Sequence, residues 1–474
     1  MDNNSRNSKE KTKRRKFGIH LTSVEIFYKY IFPEIKDLIE NYLWVDLYAG
    51  EGNLILPILN EIPYDKRESF FRGHIFLFDI QKDMVQKCIY NAEEYGIPKQ
   101  IAENNIKKRD NLGSFPQILK RKKFPIFHIT NPPYLYLGYI RKHYETQKFL
   151  QYFKKENKGY QDLYQIAMIN DLRNDVENLI YVIPTNFLYG ASVSNKFRLD
   201  FLKYYNILKM IIFEIKIFEH TGSNICIGFF KKKKVPQDEF QTFTGLKTKK
   251  QNDILKMVYN LNPKYKYRAG SKFDEFLESY KAVNPLIVKY YLLKEEVSQN
   301  KGNFEIEVID ANQYKNNQYV KLYIKVNEKL KRIIESNVLY IRTVDTGSYN
   351  GRAGLGQVNE DFDVCAIYVS HKTYRTHPIQ IFLEPIISIE EHFLLRDYFN
   401  FILEQFRLKL DSEFLTTYKY SKAEYTRKYF GLTQTRKLIE TFPYGKLTSE
   451  KKQELKSLIT SKDFKRILDF LKSI

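Results

Sequence analysis

Leu43-Trp44-Val45-Asp46-Leu47-Tyr48-Ala49-Gly50-Glu51-Gly52 is the stretch on which the fold turns. An apolar run of strand length ends at Asp46-Leu47. Gly50 and Gly52 then stand where a strand must turn tightly into the helical stretch expected over Asn53 to Leu59. A glycine turn of this kind serves either a nucleotide-like ligand or the turn alone. Its spacing is not the dinucleotide fingerprint, and Asp46 and Glu51 would repel a pyrophosphate. Carboxylates there suit a ligand with a cationic amino-acid end.

The same rhythm runs outward from Trp44 to Lys233. Short apolar runs, His74 to Asp79, Ile126 to Ile129, Leu179 to Ile183, Met210 to Phe213 and Ile225 to Phe230, are separated by longer segments. Two of these, Lys82 to Glu94 and Tyr164 to Arg173, carry apolar residues at helical spacing. Such alternation predicts βα units in an α/β, Rossmann-like, mostly parallel sheet. The last two runs lie too close together for a crossover helix, which predicts an antiparallel hairpin at the sheet edge. The pattern stops at Lys231-Lys232-Lys233-Lys234-Val235-Pro236, so the expected organisation is a first domain over 1–235, a linker over 236–254 and a mixed α/β second domain over 255–474. That second half holds a glycine-rich stretch at 346–356 and ends in helices from Thr448 onward.

A chain of 474 residues with 43% hydrophobic residues can bury a substantial core. The formal charge of +21 makes nucleic acid the leading partner, with the lysine-rich composition of an AT-rich genome as the competing source of the excess. Cys88, Cys226 and Cys365 are scattered without a C-x-x-C pair or a nearby histidine cluster, so neither disulfides nor a metal site are expected. Met1 to Lys16 are polar and basic, and no run approaches the ~20 apolar residues of a membrane span. A cytoplasmic protein is the expectation.

Two further acidic residues stand out, one at a strand end and one after Lys108-Arg109. Asp79-Ile80 closes the second run, where a carboxylate can accept from both hydroxyls of a ribose, and Asp110 lies in position to accept from an adenine amino group. Capping or solvated aspartates would look the same. The most specific signal follows the third strand as Asn131-Pro132-Pro133-Tyr134. The prolines stiffen the loop and hold Asn131 extended. An amino group conjugated to a ring is a poor nucleophile, because its lone pair is delocalised. The Asn131 side-chain oxygen and the Pro132 carbonyl can each accept one of its N–H groups, drawing the nitrogen towards a tetrahedral geometry. Tyr134 offers a flat face for an extruded base, worth about 1–3 kcal/mol.

In this order, from Phe17 to Lys233, the motifs resemble those of the γ-class amino-methyltransferases of bacterial restriction–modification systems, which methylate adenine N6. The resemblance implies S-adenosylmethionine as cofactor. Phe17-Gly18-Ile19-His20-Leu21-Thr22 would close over its methionine end through Thr22, while Asp46, Tyr48, Gly50 and Gly52 form the cofactor turn. Asp79 and Ile80 would contact its ribose and adenine, Asp110 its adenine amino group, and Asn131 would border it. Asp162-Leu163-Tyr164 and Val182 to Leu188 match later motifs, and Ile217-Phe218-Glu219 makes Phe218 the partner of Tyr134 against a flipped base. Asn131, Pro132, Pro133 and Tyr134 would carry catalysis. Two positions depart from the family: Ser23 replaces the usual proline after Thr22, and Asn111 stands where an apolar residue commonly covers the cofactor's adenine.

The function implied is site-specific transfer of a methyl group to N6 of a flipped adenine in duplex DNA, by a monomer working beside a separately encoded restriction endonuclease or none. A target-recognition domain follows the catalytic one in the family, which makes Arg342, Thr343, Tyr349, Arg352, Arg427 and Lys428 candidates for base or phosphate contact. N4-cytosine methylation is the nearest alternative, with Asn131 and the motif order favouring adenine. Enzymes that methylate a glutamine amide in release factors share the Asn-Pro-Pro-Tyr signature but lack a large second domain. RNA methylation, a DNA-binding protein with a decayed methylase core, a fused nuclease and a modification subunit of a multisubunit system are less favoured.

Overall fold

Trp44, the single tryptophan, is fully buried on β1 (Leu43–Asp46). Its Nε1 donates to the Ile39 carbonyl at 2.8 Å, and its ring stacks on Phe127 with centroids 5.1 Å apart. The computed structural model describes residues 22–190, 192–215, 217, 224–250, 253–345, 351–371, 377–420 and 426–474. Around Trp44 runs a sheet built from β1, β2 (Ile75–Asp79), β3 (Ile106–Lys108), β4 (Ile126–Thr130), β5 (Asn178–Pro184), β6 (Tyr205–Phe213), β7 (Ile225–Lys232), β8 (Gln241–Lys250) and β9 (Asp253–Leu261). Its order is 3-2-1-4-5-7-6-8-9. β1, β2 and β5 are buried at every residue, which is why they read as unbroken apolar runs.

The register positions the site. β1 pairs in parallel with β2, Asp46 opposite Leu77, and with β4, Val45 opposite His128. The carboxyl ends of β1, β2 and β4 therefore meet on one edge, where ligands bind in sheets of this kind. Helices form at Lys82–Glu94 and Leu163–Arg173, as their periodicity predicts. The helix expected over Asn53 to Leu59 is instead a turn followed by a 3-10 helix at Leu56–Glu61. Pro57 lacks the N–H that an α-helix starting at Asn53 would use.

The expected hairpin of β6 and β7 is present, with β7 antiparallel to both β5 and β6. It does not end the sheet. β8 pairs in parallel with β6, and β9 pairs antiparallel with β8, so most of the expected linker 236–254 is strand. Phe243 and Lys247 point inward, Phe243 stacking on Tyr259 at 5.1 Å and Lys247 lying 3.7 Å from Glu214. Thr242 and Asn260 stay polar on the other side, and that alternation, laden with lysine, reads as linker from composition alone.

The chain divides into two compact units, Met1–Ala269 with Lys419–Thr426, and Gly270–Tyr418 with Arg427–Ile474. The boundary thus falls later than 235–255, because β9 completes the first sheet. The second unit is mixed α/β. Ile287–Tyr290, Ile379–Glu384, Leu339–Arg342 and Gly354–Gln357 form one four-stranded sheet, and a second contains the long hairpin Phe304–Lys315 and Gln318–Val326. The helix Ile389–Leu410 starts at a capping box of Ser388 and Glu391, and Thr448 caps the helix Ser449–Thr460. No helix of the described residues is long and apolar enough to cross a membrane.

Candidate active site

At the end of β1 the Asp46 carboxylate turns back on its own strand. Its Oδ1 accepts from Tyr48 N at 2.9 Å and from the Thr130 hydroxyl of β4 at 2.5 Å. Burial raises the Asp46 pKa to about 6. Asp79, at the end of β2, accepts from Gly50 N at 3.0 Å and Gln81 N at 2.8 Å, and burial pushes its carboxyl up as well. Gly50 and Gly52 both have positive φ, and a Cβ on Gly52 would stand 2.6 Å from Leu56 Cδ1 and 2.8 Å from Cys88 Sγ. The turn therefore needs glycine for conformation and for space.

Thr22, Asp46, Tyr48, Gly50, Glu51 and Asn131 line a single pocket. Thr22 closes it from the N-terminal side: its carbonyl accepts from Asn53 Nδ2 at 2.9 Å and its hydroxyl accepts from Asn131 Nδ2 at 2.9 Å. Ser23 has φ −75°, close to the value proline would impose. Ile80 is half exposed just beyond Asp79, an apolar surface where the adenine contact was expected.

Asp110 is bonded within the protein. Its Oδ1 accepts from Leu112 N and Gly113 N, and its Oδ2 accepts from the Tyr152 hydroxyl at 2.6 Å. Asn111 does not face outward as a cover would. It is buried and donates to the Leu47 carbonyl at 2.7 Å, beneath the glycine turn.

Asn131 follows β4 directly. The Tyr134 hydroxyl lies against Asn131 Oδ1 and, at 2.6 Å, against the Val182 carbonyl of β5. Burial pushes the Tyr134 phenol well above its ordinary pKa, so it stays a donor. The Asn131 amide is pinned at both ends, nitrogen to Thr22 and oxygen to Tyr134. Phe218, the expected second aromatic, and Tyr349 lie outside the described residues.

A buried relay supports the turn from below. Leu47 N donates to His128 Nε2 at 3.1 Å, which places the ring proton on Nδ1, 2.6 Å from Asp171 Oδ2. The Tyr181 hydroxyl donates to the same oxygen at 2.5 Å. Sequence reasoning passed over these residues and over Tyr152. The available signal was a histidine within an apolar strand and an aspartate within the largely apolar helix Leu163–Arg173.

The candidates for nucleic-acid contact all lie in the second unit. Arg342 and Arg352 line one cleft together with Asn400 and Gln405. Arg352 is 2.5 Å from Glu404, and Lys428 Nζ reaches the Asp411 carbonyl at 3.4 Å. Arg427 is exposed. Thr343 is fully buried, its carbonyl accepting from Phe430 N at 2.8 Å, so its side chain is withdrawn from any external partner. No group of three or more His, Cys, Asp or Glu among the described residues could hold a metal ion.

A sheet of order 3-2-1-4-5-7-6 at its core, with aspartates ending β1 and β2 and Asn-Pro-Pro-Tyr following β4, is the class I methyltransferase fold. Residues 24–218 match the family model of the Eco57I restriction-modification methylase, and the resemblance drawn from the motifs is borne out over that segment. Among solved structures, the type IIL restriction-modification enzyme MmeI in complex with DNA is 14% identical, with 81% of this chain and 66% of that chain covered and a TM-score of 0.43. A modification subunit of a putative type I restriction enzyme from Vibrio vulnificus is 13% identical, with 74% and 62% covered and a TM-score of 0.36. The type IIG restriction endonuclease BpuSI is 12% identical, with 94% and 61% covered and a TM-score of 0.41. The chain spans only 32% of the matched chain in the DrdV–DNA complex. No curated protein sequence matches it.

Proposed function

We propose that the protein transfers a methyl group from S-adenosylmethionine to N6 of an adenine flipped out of duplex DNA, as the modification enzyme of a restriction–modification system. The observation that carries this reading is that Asn131 lines the same pocket as Thr22, Asp46 and Gly50. An amino-group acceptor and a cofactor turn share one space.

The donor set fits that cofactor. Asp46 and Glu51 supply negative charge for an α-ammonium group, Asp79 keeps lone pairs for ribose hydroxyls beyond its two backbone bonds, and Ile80 offers an apolar face to adenine. When bound, S-adenosylmethionine supplies an electrophilic methyl on a sulfonium. The chain's own residues prepare the acceptor. Asn131 Oδ1 and the Pro132 carbonyl take the two N–H groups of the target and localise its lone pair. Thr22 and Tyr134 hold the Asn131 amide in the orientation that presents its oxygen. Tyr134 stacks on the extruded base, with Phe218 as its partner. Arg342, Arg352, Arg427 and Lys428 contact the duplex, and the enzyme works in the cytoplasm as a monomer.

Expression in a host free of DNA methylation, with genome-wide mapping of modified bases, tests the reading. Methylated adenines within one short motif, lost on Asn131→Ala, are expected. Methylated cytosines would overturn the adenine assignment, and an unmodified genome would overturn the whole reading.

A further inference from the structure

The chain leaves the Asn131 to Tyr134 loop against a segment that the proposed reaction has not used. Leu135 N donates to Asp162 Oδ1 at 2.9 Å, Leu137 N donates to the Gln161 carbonyl at 2.8 Å, and Tyr136 and Asp162 form an antiparallel bridge. Asp162 is the residue before the helix Leu163–Arg173, with an extended backbone (φ −148°, ψ 152°) suited to a helix cap. Its Oδ1 reaches across to the loop, while the Leu163 and Tyr164 N–H groups at the helix start also favour the ionised carboxyl. A cap alone would be served as well by a serine hydroxyl, which is too short to span to Leu135. Burial pushes the Asp162 carboxyl up to about 7, opposed by the Leu135, Tyr164 and Leu163 N–H groups.

Resting on the methyl-transfer reading above, we infer that Asp162 is a positioning residue of the reaction: by holding Leu135 it sets where Asn131 and Tyr134 stand. The mechanical argument lies in the loop itself. Pro132 and Pro133 have fixed φ and restrict the residues before them, so few soft torsions separate Leu135 from Asn131. A stiff segment anchored at one end transmits the position of its anchor. The other end is the Asn131 junction with β4, and Tyr134 is tied sideways to Val182 of β5. Removing the Asp162 side chain leaves Leu135 N without its acceptor, while the Tyr136 bridge and the Leu137 bond hold only the chain beyond it. Asp162 touches neither target nor cofactor in this assignment; it acts through the loop.

The test is steady-state methyl transfer at saturating cofactor and a duplex bearing the mapped site, with cofactor affinity measured separately by calorimetry. Asp162→Ser keeps the capping chemistry but falls short of Leu135, and a displacement near 1 Å costs about 10–100-fold in kcat. Cofactor Kd should stay within about twofold, since the turn at Asp46 to Gly52 is untouched. Asp162→Asn retains Oδ1 and should return kcat to within a few fold of wild type. Asp162→Glu, which keeps the charge but pushes on Leu135, should be slower than Asp162→Asn, and it carries the comparison if Asp162→Ser does not fold. Wild-type kcat in Asp162→Ser, or Asp162→Glu matching Asp162→Asn, would overturn the inference while leaving the methyltransferase reading intact. Wild-type protein that binds cofactor but methylates no DNA would overturn the reading, and the inference with it.

Discussion

Asn131 Nδ2 donates to Thr22 Oγ1 at 2.9 Å, across 109 residues of sequence. The bond closes the pocket beside the glycine turn and, in the proposed reaction, sets which end of the amide faces the target. Thr22→Val keeps the shape and removes the acceptor. One hydrogen bond of about 1 kcal/mol corresponds to a roughly fivefold loss of kcat in a methyl-transfer assay, and Thr22→Ser should recover it.

In the proposed reaction, Asn131→Ala removes an acceptor that acts on the nucleophile itself. Its kcat should fall by more than about 100-fold, the order seen when one aligned polar group is deleted from a reacting centre. Calorimetric cofactor affinity should change only a few fold. Tyr134→Phe keeps the stacking face but releases Asn131 Oδ1, so it should lower kcat with little change in DNA affinity. Tyr134→Ala should also lose about 1–3 kcal/mol of affinity for duplexes carrying a mismatched, easily flipped target.

Cofactor binding should depend on pH through Asp46, whose carboxyl is raised by burial to about 6. A cationic amino-acid end favours the ionised form, so affinity is full above that value and falls as pH drops through it. Between pH 7.5 and pH 5 the Kd should rise about tenfold, following proton linkage at one site. Asp46→Asn should bind weakly at both values and flatten the profile. A profile that strengthens on acidification would exclude Asp46 as the partner of the cation.

Gly52→Ala places a methyl group 2.6 Å from Leu56 Cδ1 at φ +84°. Backbone strain and crowding together should cost about 1–3 kcal/mol in thermal or denaturant unfolding. Cofactor affinity should fall in the same variant, because the turn must open to relieve the clash.

Asp171→Ala strips the acceptor shared by His128 and Tyr181, both buried. Two orphaned donors at about 1–3 kcal/mol each should lower stability by about 3–5 kcal/mol in urea unfolding. Asp171→Asn, which retains an acceptor oxygen, should lose less than half of that. The Leu47 peptide rests on His128, so cofactor affinity should decline with stability.

The alternation of apolar runs is a local property, and β1, β2, β4, β5, β6 and β7 all fall within the runs that display it, or extend them by a few residues. β3 has only three residues, two of them exposed lysines, and shows no such run. β8 escaped because its inward side alternates with an outward one and carries lysines, so pairing with β6 decides what composition disguises. Asn131, Pro132, Pro133 and Tyr134 were legible as a unit because proline and asparagine constrain neighbours along the chain. Thr343 shows the converse: its residue type suits an interface, and only packing reveals that it is buried.

The sequence by itself determined the βα rhythm, the glycine turn at 50–52 and the stiff acceptor loop, since period, positive φ and the proline ring act over a few adjacent residues. Tertiary structure alone decided which groups hold them in register. Asp162 meets Leu135 across 27 residues, His128 meets Asp171 across 43, and Asn131 meets Thr22 across 109. Contacts of that separation arise where the loop after β4, the helix Leu163–Arg173 and the segment at Thr22 pack around the sheet, an arrangement that no local pattern encodes.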